Sequence, residues 1–305
     1  MSSGSLSSSD RVLFVADQFS DVDRDEVHKY PGGAELTDQA VIEAAPCSVQ
    51  TRTFAQLTER DLSEATAFVI GNSAKATTKQ LLRLARLSRV ILFEHDMRIC
   101  RVRGDMTFWK RPLHRHFHWC TCKRSDVLTL TRASAGVMFL TRYQQGLFER
   151  NPWYTCARSR VLGSSVFSSK TLDEFRQRPT TKERPIDVCL SYSAFRAKGF
   201  SQSMRYARRV SDDPFVIRNL PPNEVLEVFL DSKRFVHLPP SPEWAGRLPV
   251  EARFMGCKVI TNDRVGVALE PWWQLPDDKA LSVLSSAATR FWSLVDEMLS
   301  EDASA

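Results

Sequence analysis

Short unbroken apolar runs recur along the chain, separated by longer segments in which apolar residues return every three or four positions. Val12-Leu13-Phe14-Val15-Ala16 is the first such run, and further short strand-like segments, some broken by polar residues, lie at Ser48–Phe54, Ala67–Gly71, Arg89–Phe93, Asp126–Leu130, Gly136–Thr141 and Arg160–Leu162. Runs of this length without polar alternation predict strands buried on both faces. Helical patterns fall between several of them: about Ala34 to Ala45, stopped by Pro46, and Thr78–Leu87 with its repeated Leu spacing. Strands alternating with helices predict βαβ units and a mostly parallel sheet.

The stretch from Ser168 to Pro185 is polar and charged, which reads as a hinge or linker carrying one short helix. The alternation then restarts, with strands expected at Ile186–Tyr192, Phe215–Ile217, Phe235–Leu238 and Lys258–Thr261. Helices are expected near Phe200–Val210, Asn223–Asp231 and Leu248–Met255. A last helix, about Asp277–Leu299, carries Phe291, Leu294, Val295, Met298 and Leu299 at core-facing spacing. The predicted organisation is a disordered tail at 1–10, an N-terminal Rossmann-like domain at 11–170, a second at 185–276 and a terminal helix at 277–305. Two such halves predict a ligand cleft between them, lined by loops at the carboxyl ends of strands.

Composition changes this picture little. A chain of 305 residues with 43% hydrophobic and 26% charged content has room for two cores. No apolar stretch approaches the ~18 residues of a membrane span, and the Ser-rich start has no secretory-signal pattern. The seven cysteines, odd in number and scattered, argue for a reducing compartment, so a cytoplasmic location is expected. The net charge of +6 favours an anionic partner without saying which.

Residues 241–260 read Ser-Pro-Glu-Trp-Ala-Gly-Arg-Leu-Pro-Val-Glu-Ala-Arg-Phe-Met-Gly-Cys-Lys-Val-Ile. Glu243 and Glu251 stand either side of seven residues, in a segment with a Pro-rich entry, a Gly-Arg step and a helical turn leading into a strand. A carboxylate accepts bidentately from vicinal sugar hydroxyls, and a helix N-terminus beside it favours phosphate. The whole segment resembles the E-x7-E signature of retaining glycosyltransferases of the GT-B fold, family 4 in particular. That resemblance, clearest over 186–262, implies two Rossmann-like domains facing each other across a cleft, with the C-terminal helix packing back on the first. It implies a nucleotide-sugar donor, a UDP-sugar being favoured, and no metal requirement for the chemistry. Glu251 would hold the ribose and Glu243 the donor sugar at the reacting centre, while Ala245, Gly246, Arg247 and Leu248 would meet the sugar or the diphosphate.

Ala197-Lys198-Gly199 resembles the family's Lys-Gly step, in which the lysine neutralises the donor diphosphate. An arginine usual five residues earlier is Ser193 here, and Arg196 is the candidate to replace it. Gly32-Gly33 matches the family's turn at the first helix, where the backbone approaches phosphate. Glu94-His95-Asp96 closes the strand at Arg89–Phe93, where an α/β sheet places reacting groups. His95 is a candidate donor to a sugar hydroxyl and Asp96 a candidate to orient or deprotonate the acceptor. In this class the leaving phosphate is often held to take that proton itself.

One stretch has no counterpart in typical bacterial members of the resembled family. Residues 97–124 carry Arg98, Arg101, Arg103, Lys110, Arg111, Arg115, Lys123 and Arg124 against one acid, Asp105, with Phe108, Trp109, Phe117 and Trp119 among them. Cations interleaved with rings suit a polyanion with exposed bases. Arg98, Arg101, Arg103, Trp109, Lys110, Arg111 and Arg115 are therefore candidate nucleic-acid contacts. A hydroxymethylated base extruded from DNA is the favoured acceptor. A cell-surface glycan or lipid-linked saccharide is the alternative acceptor, and a nucleic-acid binder on an inactive GT-B scaffold the alternative function. Within the stretch His114, His116, His118, Cys120 and Cys122 alternate, so an extended strand would place all five on one face as a candidate structural zinc site.

Overall fold

The computed structural model describes residues 6–20, 30–100, 124–179 and 183–302. Six strands, β1 (Arg11–Ala16), β2 (Ser48–Thr53), β3 (Ala67–Ile70), β4 (Val90–Glu94), β5 (Gly136–Phe139) and β6 (Ser159–Val161), pair in parallel in the order β2-β1-β3-β4-β5-β6. The residues of β1 divide between its two faces. Leu13 and Val15 enter one core, and Val12, Phe14 and Ala16 enter the other. Helices therefore cover both sides, and of the β1 residues Arg11, at its start, is exposed while the next five are buried. These helices are α1 (Gly33–Glu43), α2 (Glu59–Glu64), α3 (Thr78–Leu84), α4 (Ser125–Ala133) and α5 (Arg142–Glu149).

After α6 (Ser169–Gln177) a second parallel sheet forms from β7 (Ile186–Ser191), β8 (Phe215–Ile217), β9 (Ser232–His237) and β10 (Lys258–Thr261), in the order β10-β9-β7-β8. Its crossovers are α7 (Phe200–Val210), α8 (Pro222–Asp231) and α9 (Arg247–Phe254). Val188, Leu190 and Val236 pack toward α7, whereas Cys189 and Phe235 pack toward α8 and α9.

Two expectations need correction. Asp126–Leu130 is not a strand but the middle of α4. Val127 with Leu130 and Thr131, at helical spacing, are all buried, and a five-residue window cannot separate that period from alternation. The terminal helix is two, α10 (Asp277–Ser285) and α11 (Ala287–Asp302), broken at Ser286. The break lets α10 stay with the second core while α11 crosses to the first, where Phe291, Trp292, Val295, Met298 and Leu299 pack on the sheet. A Cβ on Gly136 would come within 3.1 Å of Met298 Cγ, so β5 lacks a side chain where α11 lies against it. Trp292 Nε1 donates to Val41 O at 2.8 Å and ties α11 to α1.

Candidate functional site

In each sheet the strand order reverses, at β1 between β2 and β3, and at β7 between β8 and β9. Crevices of open α/β sheets lie outside the carboxyl ends of strands at such points. A cleft of about 570 Å³ is lined by segments following β1, β3, β4, β7, β8 and β9. Both switch points thus open into it.

From the second sheet, Lys198 closes a short 3-10 turn after β7, and Gly199 follows at φ 76°. A Cβ there would stand 2.6 Å from Pro239 Cα, so the turn presses on the loop leaving β9 and admits only glycine. That loop carries Glu243. Glu243 N donates to Arg264 O at 2.8 Å and Gly266 N donates to Glu243 O at 2.7 Å. From the first half, Thr141 Oγ1 donates to Trp244 O at 2.9 Å, and the Ser165 hydroxyl donates to Ala245 O. The Trp244 side chain is buried in a core of the first sheet. The loop is therefore held from both sides of the cleft.

Lys198 Nζ lies 2.8 and 2.7 Å from the two oxygens of Glu243. Burial acts to raise the Glu243 pKa, but the Lys198 charge foremost outweighs it, and the group sits below the ordinary carboxylate value. His237 Nε2 is 4.0 Å from the same carboxylate. Burial pushes His237 down to about 4, with Glu243 pulling the other way. It is neutral at pH 7.

Glu251 lies one turn into α9 and accepts from Arg247 Nε at 3.2 Å. Arg247 also donates to Val166 O, and its guanidinium lies 4.2 Å from the centre of the Phe167 ring. Burial pushes the Glu251 carboxyl up, against the pull of Arg247, and lowers Arg247 itself. From the first sheet, α1 starts at the cleft with Gly32 at its cap and no side-chain cap bond. A Cβ on Gly33 would touch Arg247 Cδ at 3.4 Å, so the starts of α1 and α9 abut. Beside them His95 Nε2 and Asp38 Oδ1, both buried, are 2.6 Å apart, and burial raises Asp38 while His95 opposes it. Asp96, half-buried, also faces the cleft.

No family model matches the chain, and no curated protein matches it. Solved structures do. The chain is similar to sucrose-phosphate synthase from Thermosynechococcus elongatus (TM-score 0.56, 12% identity, 96% of this chain and 92% of that one). It is similar to an alpha-glucosyltransferase in complex with UDP and a 13-mer DNA containing a HMU base (TM-score 0.53, 9% identity, 96% and 93%). It is also similar to Anabaena HepE in complex with UDP (TM-score 0.52, 13% identity, 96% and 99%). The fold is GT-B.

In this GT-B frame Gly32, Gly33, His95, Asp96, Lys198, Glu243, Ala245, Gly246, Arg247, Leu248 and Glu251 all line one cleft. Two expected residues do not join them. Arg196 is exposed beside Lys198 in the same short turn but is not part of the cleft wall. Arg98 is not a surface cation. It is 7% exposed, pairs with Glu94 at 2.7 Å and donates to Phe93 O at 2.6 Å and Ile70 O at 3.2 Å, closing the ends of β3 and β4. Arg101, Arg103, Trp109, Lys110, Arg111 and Arg115 lie outside the described residues, as do His114, His116, His118, Cys120 and Cys122. Among the described residues no group of three His, Cys, Asp or Glu could hold a metal, and no helix is long and apolar enough to cross a membrane.

Sequence reasoning missed His237, which lines the cleft, and Asp38, which stands behind it on His95. His237 ends β9 beside the switch point, a position that strand boundaries alone could have flagged. Asp38 gives no such signal, because only the packing of α1 against β4 brings it to His95.

Proposed function

We propose that this protein is a glycosyltransferase that moves a sugar from a nucleoside-diphosphate donor, a UDP-sugar being favoured, to a hydroxyl acceptor with retention of configuration. One observation carries the proposal: a lysine, two carboxylates and an uncapped helix start converge on a single cleft at the switch points of two parallel sheets. Nothing in a sugar nucleotide is left without a chemical match. The diphosphate suits the Lys198 ammonium and the N–H groups opening α1. The ribose hydroxyls suit Glu251, next to an apolar wall of Ile217, Leu220, Pro222 and Val225 for a base. The donor sugar suits Glu243 and His95.

Charge develops on the departing diphosphate as the glycosidic bond breaks, and a fixed ammonium with aligned N–H groups stabilises it without proton transfer. Lys198 fills that role here. Front-face attack, with the acceptor proton passing to the leaving phosphate, leaves no step that needs a protein base. Asp96 and the Asp38–His95 pair then orient hydroxyls. For the acceptor, a hydroxymethylated base in DNA is supported by the basic, aromatic sequence at 97–124 and by the likeness to a glucosyltransferase bound to DNA.

A melting-temperature panel of nucleoside diphosphates and their sugars tests the donor, since a cognate ligand raises the midpoint by mass action. Incubating the hit with duplex DNA containing hydroxymethylated bases tests the acceptor. Transfer that vanishes in Glu251→Ala is expected. Absence of any nucleotide-dependent shift sinks the reading, and salt-dependent DNA binding without donor uptake would favour the inactive-scaffold alternative.

A further inference from the structure

The Lys198 ammonium cannot serve two anions in full. In the structure both of its short contacts go to Glu243. A diphosphate arriving at Lys198 draws the ammonium toward its own oxygens, and Glu243, with a side chain 11% exposed, is left buried without the cation that holds it. An ionised carboxylate in that position needs another donor.

The one at hand is His237. The residue is 5% exposed, and its Nε2 has no hydrogen-bond partner among the described residues. That nitrogen is 4.0 Å from Glu243 Oε2, too far for a hydrogen bond and near enough that a shift of about 1 Å would make one. The ring lies parallel to Phe235, 8° between planes and 6.0 Å between centroids, so it is already set in orientation. A buried polar atom without a partner is costly, and one aimed at a carboxylate that donor binding would strip of its cation has a reason to be kept.

We propose that His237 is a positioning residue that takes hold of Glu243 when the donor diphosphate draws Lys198 away. Glu243 then has two alternating partners: Lys198 in the empty cleft and the Nε2–H of His237 in the loaded one. The exchange keeps the carboxylate aimed at the sugar while the ammonium is occupied with phosphate. No proton or covalent bond moves. The inference deepens the donor-binding reading above and rests on it.

The test is a calorimetric titration of the intact protein with UDP, together with denaturant unfolding at pH 7 without ligand, for wild type, His237→Leu and His237→Gln. His237→Leu is expected to be at least as stable as wild type when unliganded, because it removes an unpartnered polar group. It is expected to bind UDP about tenfold more weakly, the scale of one lost hydrogen bond to a charged group. His237→Gln, which keeps an N–H donor, should recover most of that affinity. If wild type binds no nucleoside diphosphate, the donor reading itself fails. If wild type binds and His237→Leu binds equally well, or is weakened only in step with a loss of unliganded stability, the positioning role is wrong. Should His237→Leu not fold, His237→Gln decides alone: unliganded stability and UDP affinity both within twofold of wild type support the role, and a tenfold loss of affinity overturns it.

Discussion

Lys198 and His237 give the residue-scale predictions, because both stand against the Glu243 carboxylate. Removing the ammonium in Lys198→Ala should weaken UDP by roughly 10- to 100-fold, the range of a hydrogen bond to a charged group, while uridine, which has no phosphate, binds as before. Calorimetry with both ligands reads the difference, and equal losses for UDP and uridine would place Lys198 elsewhere than on the diphosphate. His237 makes stability depend on pH. Its folded pKa, about 4, lies below the ordinary value of 6.5, so between these the unfolded chain binds a proton that the folded one refuses. Stability is then full above 6.5 and declines as pH falls toward 4, by about 3 kcal/mol over the window. Glu243, also lowered, adds a loss below its ordinary value of 4.5 as its pair with Lys198 is protonated away. Unfolding of the unliganded protein at pH 7 and pH 5 should show the decline, and His237→Leu should flatten it in the upper part of the range.

At the scale of elements, the cleft is made by how helices begin. Two on the outside are closed by side chains: Thr58 with Asp61 at α2 and Thr77 with Gln80 at α3 form capping boxes. Those that open on the cleft are not. Gly32 caps α1, Pro221 caps α8 and Gly246 caps α9, none with a side-chain bond, so N–H groups stay available to an anion. Gly199 joins two of the elements that meet there. In Gly199→Ala the new methyl faces the backbone at Leu238 and Pro239 while φ remains at 76°, in the left-handed region. A cost of about 2–4 kcal/mol is expected in denaturant unfolding, with weaker UDP binding because the Glu243 loop must shift. An alanine variant with wild-type stability would show that this turn is looser than its geometry. Much of this layer was legible in advance. Buried strands declare themselves as apolar runs, and Lys198-Gly199, Gly32-Gly33 and the Glu243–Glu251 spacing each mark a local backbone requirement. What stayed hidden depends on neighbours distant in sequence. Asp126–Leu130 gives the same short pattern as a strand, Arg98 looks like a surface cation until Glu94 and two carbonyls enclose it, and Asp38 meets His95 across 57 positions.

For the whole molecule, the question is what couples the two halves, and Trp244 is the strongest single answer. It belongs by sequence to the loop leaving β9, yet its indole is buried with Leu13, Phe139 and Phe148 in the first sheet's core. Its carbonyl is held by Thr141, and Tyr143 lies alongside with ring centroids 6.4 Å apart. Further ties run the same way. Arg142 N and Nη1 meet the Glu270 carboxylate at 2.6 and 2.8 Å, and Trp272 Nε1 donates to Gly163 O at 2.7 Å. These are polar, and each exchanges bonds with water when broken, whereas the indole is the large apolar anchor. Trp244→Ala should therefore cost about 3–5 kcal/mol, the usual range for emptying an aromatic site in a core. The loss should register in the first half although the residue sits in a loop of the second. Because the same loop carries Glu243 one residue earlier, donor affinity should fall as well. Trp244→Phe, which fills most of the volume, should restore both together. Denaturant unfolding and UDP calorimetry on the two variants check this jointly. Stability lost without affinity would mean that the loop holds its shape unaided, and that the halves are coupled mainly through α11.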